Sequence, residues 1–370
     1  MEIKIPFNIP YFTGKEKVYT KQSIENKKMS GDGPYTKQCQ EFFEKRYNFK
    51  KVLLTTSCTD ALEMSAILLD IKEGDEVILP SYTFVSTANA FLLRGAKLIF
   101  ADCNSDDPNI NVREISKLIT PQTKAIVIMH YAGIACDMDE IMTLVKKHNL
   151  YLVEDAALGL DSFYKGKPLG SFGHLATFSF HDTKNISCGE GGMLVINDER
   201  FIKRAEIIRE KGTNRSAFFR GEVDKYGWAD IGSSFLPSDL LAAVLWAQLE
   251  KMDKIQKKRI KILKHYQSAL KNVVECLGTS RNKKSNGSIF YLLCKNEEER
   301  TKLISFLKQK GIQTSFHYQS LHKSAFFHDG NNLPNADKFS NCLVRLPLYP
   351  DLSNEQTQLV SDSVIEFYKK

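Results

Sequence analysis

GHLATFSFHDTKNISCGEGGMLVIND, residues 173–198, is the stretch around which the remainder of the chain is arranged. Its first half reads as a short apolar strand over 175–180. A second strand, over 193–196, leaves a glycine cluster of Gly189, Gly191 and Gly192. Between the strands a polar turn carries Lys184. Small residues on either side of a strand-to-loop junction let a flat ligand approach the backbone. A lysine there can form a Schiff base with an aldehyde when its surroundings favour the free amine. Most of the 51 lysines and arginines in this 370-residue chain are solvated surface charges, so Lys184 alone identifies nothing.

A second site lies upstream in NLYLVEDAALG, residues 149–159. The apolar run 151–153 predicts a buried parallel strand, with Glu154 and Asp155 at its carboxyl end. That is the edge at which open α/β sheets bind ligands. A pyridoxal phosphate ring needs its nitrogen kept protonated, and a carboxylate such as Asp155 is the usual partner. Taken singly, an Asp at a strand end is equally an ordinary helix cap. Taken together, strand-Asp-Ala-Ala and strand-Ser-Phe-His-x-x-Lys make a specific pair.

VEDAA, FSFHDTKN with its trailing GEGG, and SYTFVSTANAF (81–91) resemble the sugar aminotransferases of the DegT/DnrJ/StrS family. The resemblance runs from IPFN (5–8) to RLPLYPDLS (345–353). It implies a fold-type I pyridoxal-phosphate enzyme that aminates the keto group of a nucleotide-linked sugar. GDGPYTKQCQ (31–40), SCTDALEM (57–64), REKGTNRSAFFRGEVDKY (209–226) and DIGSS (230–234) are most similar to one branch. Its members make dTDP-4-amino-4,6-dideoxyhexoses from dTDP-4-keto-6-deoxyglucose, with L-glutamate as donor and 2-oxoglutarate as by-product. The implied fold is a large domain, 1–250, with a mostly parallel sheet between helices and an N-terminal segment, 1–30. A smaller C-terminal α/β domain, 251–370, follows.

The bulk properties agree with this class. No apolar run approaches the roughly 18 residues of a membrane span, and the polar N-terminus does not read as a signal peptide. Eight cysteines lie scattered without metal-ligand or disulfide spacing, so no metal is expected and a reducing cytoplasm suits the chain. The net charge of +7 is spread through helices without a basic, aromatic-interleaved run, which argues against nucleic acid and for an anionic nucleotide-sugar.

In chain order, 1–30 is mixed, with IPFNIPYF laid extended on the body, and 37–47 is an amphipathic helix. A strand over 52–55 leads through Thr55-Thr56-Ser57-Cys58-Thr59 into a helix over 60–69. Hydroxyls and free N–H groups at that helix start form an anion site that suits a phosphate. A Ser57 or Thr59 cap is compatible with it, since both use the same donors. Strands follow over 76–79, 97–101 and 125–130, a helix over 199–210, and an apolar helix over 240–252 capped by Ser238 or Asp239. Both GxGxxG and GxxxxGK[ST] are absent, so the alternating pattern predicts a doubly wound sheet without a dinucleotide or P-loop site. The C-terminal part reads as a strand near 288–294, a helix over 297–311, strands over 313–317 and 343–346, and a last helix over 353–370. His130 ends its strand at the ligand edge, either as a polar contact to the cofactor or as a satisfied structural histidine.

The resemblance supplies the remaining roles. Ser57, Cys58, Thr59, Phe84, Ser179 and Ser234 join Asp155 and Lys184 in binding the cofactor, Phe84 by stacking on its ring. Tyr35, His181, Lys211, Arg215, Arg220, His317, Tyr318 and His322 bind substrate, with 211–234 reaching a homodimer partner's site. Three positions depart from the family pattern. Leu158 replaces a glutamine that contacts the ring hydroxyl, Ser234 replaces an asparagine that reaches the partner's phosphate, and Ser320 replaces the proline of HYxPLH. Related alternatives are a C3-aminating transaminase, a non-catalytic pyridoxal-phosphate-binding regulator, and a 3-dehydratase. Relatives of the last kind carry histidine where this chain has Lys184.

Overall fold

The computed structural model describes residues 3–278, 282–327 and 330–369. Its strands are β1 (Lys51–Thr55), β2 (Glu76–Pro80), β3 (Lys97–Ala101), β4 (Thr123–Met129), β5 (Tyr151–Asp155), β6 (Phe163–Tyr164), β7 (Lys167–Pro168), β8 (Leu175–Ser179), β9 (Gly192–Ile196), β10 (Glu275–Cys276), β11 (Lys283–Lys284), β12 (Phe290–Leu293) and β13 (Leu343–Leu346). Its helices are α1 (Glu16–Glu25), α2 (Pro34–Tyr47), α3 (Cys58–Leu68), α4 (Val85–Leu92), α5 (Val112–Leu118), α6 (Met138–His148), α7 (Ile202–Arg209), α8 (Arg215–Phe219), α9 (Asp239–Leu249), α10 (Met252–Leu270), α11 (Glu297–Gln309), α12 (Pro334–Cys342) and α13 (Asn354–Lys369).

Seven strands form the main sheet in the order β1-β9-β8-β5-β4-β2-β3. Only β9 runs against the others, because the Lys184 turn folds it straight back along β8 from Ser179↔Gly192 to Leu175↔Ile196. β2 and β8 are buried from end to end and β4 at every residue but Lys124, as expected of a parallel sheet covered on both faces. One face packs on α3, α4 and α7 through Leu62, Ile67 and Phe91, and another core holds Phe43, Phe178 and Leu245. Each fully buried Leu, Ile or Phe contributes about 1.5–3 kcal/mol. Packing of that size, more than local propensity, holds these helices.

A three-stranded sheet, β10-β12-β13, lies under α10, α11 and α13. Its core runs on into Tyr82, Met129 and Tyr131 of the main body. The boundary expected at residue 251 lies next to the start of α10 at Met252. Met252 and Ile255 still pack beside α2 and α9, whereas Ile262, Tyr266 and Leu270 pack on the small sheet.

Several expectations are corrected. The run 313–317 is not a strand. It makes only an isolated bridge, Ser315 to Arg345, before a left-handed turn at Tyr318 (φ 38°) sends the chain back along the cavity. The helix expected over 199–210 is a 3-10 turn at Glu199–Phe201 followed by α7, and α2 starts at Pro34, whose fixed φ suits a first helical turn. The N-terminal 30 residues contain α1, and α12 had no signal. The last helix ends at Lys369, with Lys370 outside the described residues.

Candidate active site

The carboxyl ends of β5 and β8 and the start of α3 converge on one cavity of about 570 Å³. Ser57, Cys58, Thr59, Phe84, Asp155, Leu158, Ser179, His181, Lys184, His317 and Tyr318 line it.

At the start of α3, Ser57 Oγ accepts from Asp60 N (3.0 Å) as the cap. Among the described residues the N–H groups of Cys58 and Thr59 have no acceptor, so two donors at the positive end of a helix point to an anion. Gly192 makes this closeness possible, since a Cβ there would stand 2.4 Å from Cys58 N.

Lys184 is fixed by its turn. Its N–H donates to His181 O (2.8 Å), Asp182 N to Gly189 O (3.1 Å), and Ser187 Oγ to Asp182 Oδ1 (3.0 Å). Asn185 Nδ2 anchors the far side on Gln256 Oε1 and Asn286 O, both at 3.0 Å. No hydrogen bond or ion pair among the described residues holds Lys184 Nζ. Burial lowers its pKa, only partly offset by Cys58 and Asp155, with Arg345 lowering it further. The amine is thereby biased toward the neutral, nucleophilic form.

Asp155 Oδ2 accepts from Thr87 Oγ1 (2.7 Å), which in turn shares a contact with Thr83 Oγ1 (2.8 Å), and Oδ1 accepts from Ala157 N (3.1 Å). Burial nevertheless raises its carboxyl above the ordinary range. A carboxylate this enclosed is stable ionised beside a positive partner, and a protonated pyridine nitrogen is such a partner. The adjacent Glu154 points the other way. It accepts from Gly170 N (2.8 Å), Phe172 N and Gly173 N (2.7 Å each), and from His130 Nε2 (3.0 Å). His130 Nδ1 takes Cys136 N (3.2 Å), so of its two readings the structural one holds.

His317 stacks on Tyr318 with ring centroids 3.8 Å apart. Burial, with the Arg345 and Lys184 charges, holds its imidazole well below the ordinary range. His317 Nδ1 shares a hydrogen bond with Tyr131 Oη (3.0 Å). The other residues expected to bind ligands stand outside the cavity of a single chain. Tyr35 is buried with its hydroxyl on Gln22 Oε1 (2.5 Å), and His322 lies beneath the site with Nδ1 on Ser81 Oγ (2.7 Å). Arg215 pairs with Glu210 (2.7 Å), Arg220 with Glu206 (2.9 Å) and Glu222 (2.7 Å), while Lys211 and Ser234 are exposed at the base of the 211–234 segment. Sequence reasoning missed Thr87 and Tyr131, which hold Asp155 and His317. The former sits one helical turn after Thr83 in an already quoted motif.

A phosphate-sized anion site, a neutral-biased lysine and a buried carboxylate around one cavity fit pyridoxal phosphate. They define a fold-type I pyridoxal-phosphate enzyme. Residues 11–365 match the DegT/DnrJ/EryC1/StrS aminotransferase family, and the chain belongs to it as a pyridoxal-phosphate-dependent sugar aminotransferase. It is 35% identical over 346 residues, 90% of this chain and 89% of the relative, to the uncharacterized protein MJ1066 of Methanocaldococcus jannaschii. To GDP-perosamine synthase of Escherichia coli O157:H7 it is 32% identical over 98% of both chains. The PMP form of the putative sugar aminotransferase Spr1654 of Streptococcus pneumoniae superposes with a TM-score of 0.93 at 25% identity, covering 99% of both.

Proposed function

We propose that the protein transfers the amino group of L-glutamate to the C4 keto group of dTDP-4-keto-6-deoxyglucose, giving a dTDP-4-amino-4,6-dideoxyhexose for surface polysaccharide. The reading places the enzyme in the cytoplasm as a homodimer. It has a cofactor-binding part, 1–250, and a smaller C-terminal part, 251–370. The observation that carries the chemistry is the convergence of Lys184, Asp155 and the free N–H groups of Cys58 and Thr59 on one cavity.

Bound there, pyridoxal phosphate supplies an electron sink for the charge left when a proton departs from an α-carbon. The chain's own groups do the rest. Cys58 and Thr59 N–H, with the Ser57 and Ser179 hydroxyls, would hold the phosphate. Asp155, steadied by Thr87 and Ala157 N, would keep a proton on the ring nitrogen, and Phe84 would lie against the ring. Lys184 Nζ would take the proton from Cα of the donor and, in the second half-reaction, would supply one to the sugar carbon that receives the amine. Leu158 lines the cavity and its side chain offers no hydrogen-bond partner where relatives place a glutamine.

The test is incubation of the purified enzyme with glutamate and the dTDP-keto-sugar, with 2-oxoglutarate assayed and the product's ring couplings read by NMR. A C4 amine on the dTDP-sugar is the expected result. Amination at C3, or turnover absent despite bound cofactor, would overturn it. One relative named for a GDP-linked product favours a second reading with the guanine nucleotide, so the GDP-keto-sugar is the competitor in the same assay.

A further inference from the structure

The loop 285–288, which leads into β12 of the small sheet, is wedged against the segments that follow Asp155 and Lys184. Asn286 in this loop is 2% exposed. Its Nδ2 donates to Leu158 O (2.8 Å) and Leu160 O (2.7 Å), and its Oδ1 accepts from Ser288 N (2.9 Å). Its main-chain O accepts from Asn185 Nδ2 (3.0 Å). One residue thus ties the chain three positions after Asp155 to the neighbour of Lys184. Gly133 leaves the room for it, since a Cβ there would stand 2.3 Å from Asn286 Oδ1 and 2.7 Å from Leu158 O. Helix α10 braces the same junction. Gln256 Oε1 accepts from Asn185 Nδ2 (3.0 Å), and Arg259 donates to Gly287 O (3.0 Å) and Ser288 O (2.7 Å).

Carbonyl oxygens only accept, so Leu158 O and Leu160 O fix which way the Asn286 amide faces. An ionised Asp of the same shape would offer them no donor. A reactive amine works only when it is held close to its productive place by groups that are themselves fixed. Lys184 Nζ has no hydrogen bond or ion pair among the described residues, so its backbone sets its place, and Asn185 is the next residue of that backbone.

We propose that Asn286 is a positioning residue for the transamination: it carries the seating of the small domain to the Lys184 turn and holds that turn in register with Asp155. The proposal rests on Lys184 as the cofactor-bearing residue, and the test keeps the two apart. Asn286→Asp keeps the shape and loses both donors, while Val360→Ala, in the buried core of the small domain, controls for lost stability. The holoenzyme is titrated with pH and the visible band of the lysine-bound cofactor is followed. Its apparent pKa moves by about half a pH unit or more in Asn286→Asp and stays at the wild-type value in Val360→Ala. In Asn286→Asp kcat falls about 10- to 100-fold, to the same extent in the glutamate and amino-sugar half-reactions, with each KM within about twofold of wild type. In the cofactor-free protein, amide hydrogen exchange over 183–187 and 157–160 quickens while that of β4 keeps its wild-type rate. Should Asn286→Asp not fold, Asn185→Leu, which cuts only the tie to the Lys184 turn, gives the same shift of the band. An unmoved band in the folded variant, or an equal shift in Val360→Ala, overturns the positioning role and leaves Lys184 standing. A band that survives Lys184→Ala would sink the Lys184 reading and the proposal with it.

Discussion

Lys184 carries opposing demands. Its amine is useful because burial disfavours the charge, and for the same reason it destabilises the cofactor-free protein. A folded-state pKa below the ordinary lysine value means the unfolded chain binds more protons between the two values. The penalty is therefore fully present below the folded pKa and relieved as pH rises from that value toward 10.5. Lys184→Met should abolish transamination, yet raise the apoenzyme's stability by about 0.5–2 kcal/mol, as relief of functional strain commonly does. That gain should shrink above neutrality in a pH series of thermal melts; a gain that grew with pH would contradict it. Asp155→Asn should lower kcat by about 10²–10³-fold, the loss expected for one fixed electrostatic group. Thr87→Val, which removes only the supporting hydrogen bond, should cost about 5- to 10-fold in kcat. Lys184 and Asp155 were legible because each stands at a strand end in a motif whose chemistry requires it. Thr87 was not, because its meaning depends on Asp155, 68 residues away in sequence, which it reaches only in the folded chain.

At the scale of elements, the site depends on how closely β9 approaches α3. Gly192→Ala would drive a methyl group into the backbone of Ser57 and Cys58, at 2.4 Å from each, with no side chain free to yield. The expected outcome is a loss of about 1–3 kcal/mol of stability by overpacking. Weaker cofactor retention should accompany it on dialysis, since the two anion donors move with the helix. Glu154 governs the other side of β5. Burial alone would raise its carboxyl, but His130 and the Gly173 and Gly170 N–H groups pull it below the ordinary value. Its contribution to stability is thus present above pH 4.5 and lost as pH falls through the lower folded value. Glu154→Ala leaves His130 Nε2 and three backbone N–H groups buried without their acceptor, and should cost about 3–5 kcal/mol by denaturant melts at pH 7. The melts should converge in acid. The strands of the main sheet could be read from the sequence because strands buried on both faces are apolar runs, whereas the two-residue strands β6, β7, β10 and β11 gave no signal. The run 313–317 deceived because its alternation suits a strand, whereas Ser315 meets β13 at one point only. PNADKFSNC, which becomes α12, is too short and polar to announce itself.

For the whole molecule the open question is who supplies the cations. Lys211, Arg215 and Arg220 leave their own chain's cavity untouched, and the segment that bears them exposes Phe219, Tyr226 and Trp228, the last at 87%. Aromatic side chains so exposed in one stretch mark a contact surface. A homodimer in which each 211–234 segment reaches its partner's cavity accounts for both features. Nothing in one sequence specifies a symmetric neighbour, so this is the level at which reading the chain stops. Trp228→Ala should shift sedimentation toward monomer and lower activity with it. Complementation gives the sharper test. Lys184→Ala lacks the reactive amine, and the Arg215→Ala/Arg220→Ala double variant lacks the cations; each alone should be nearly inactive. Mixed and allowed to exchange, they form hybrids in which one cavity has both defects and the other has neither. Random pairing then restores about one quarter of wild-type activity. If each segment served its own cavity, every hybrid site would retain one defect, and mixing would restore nothing.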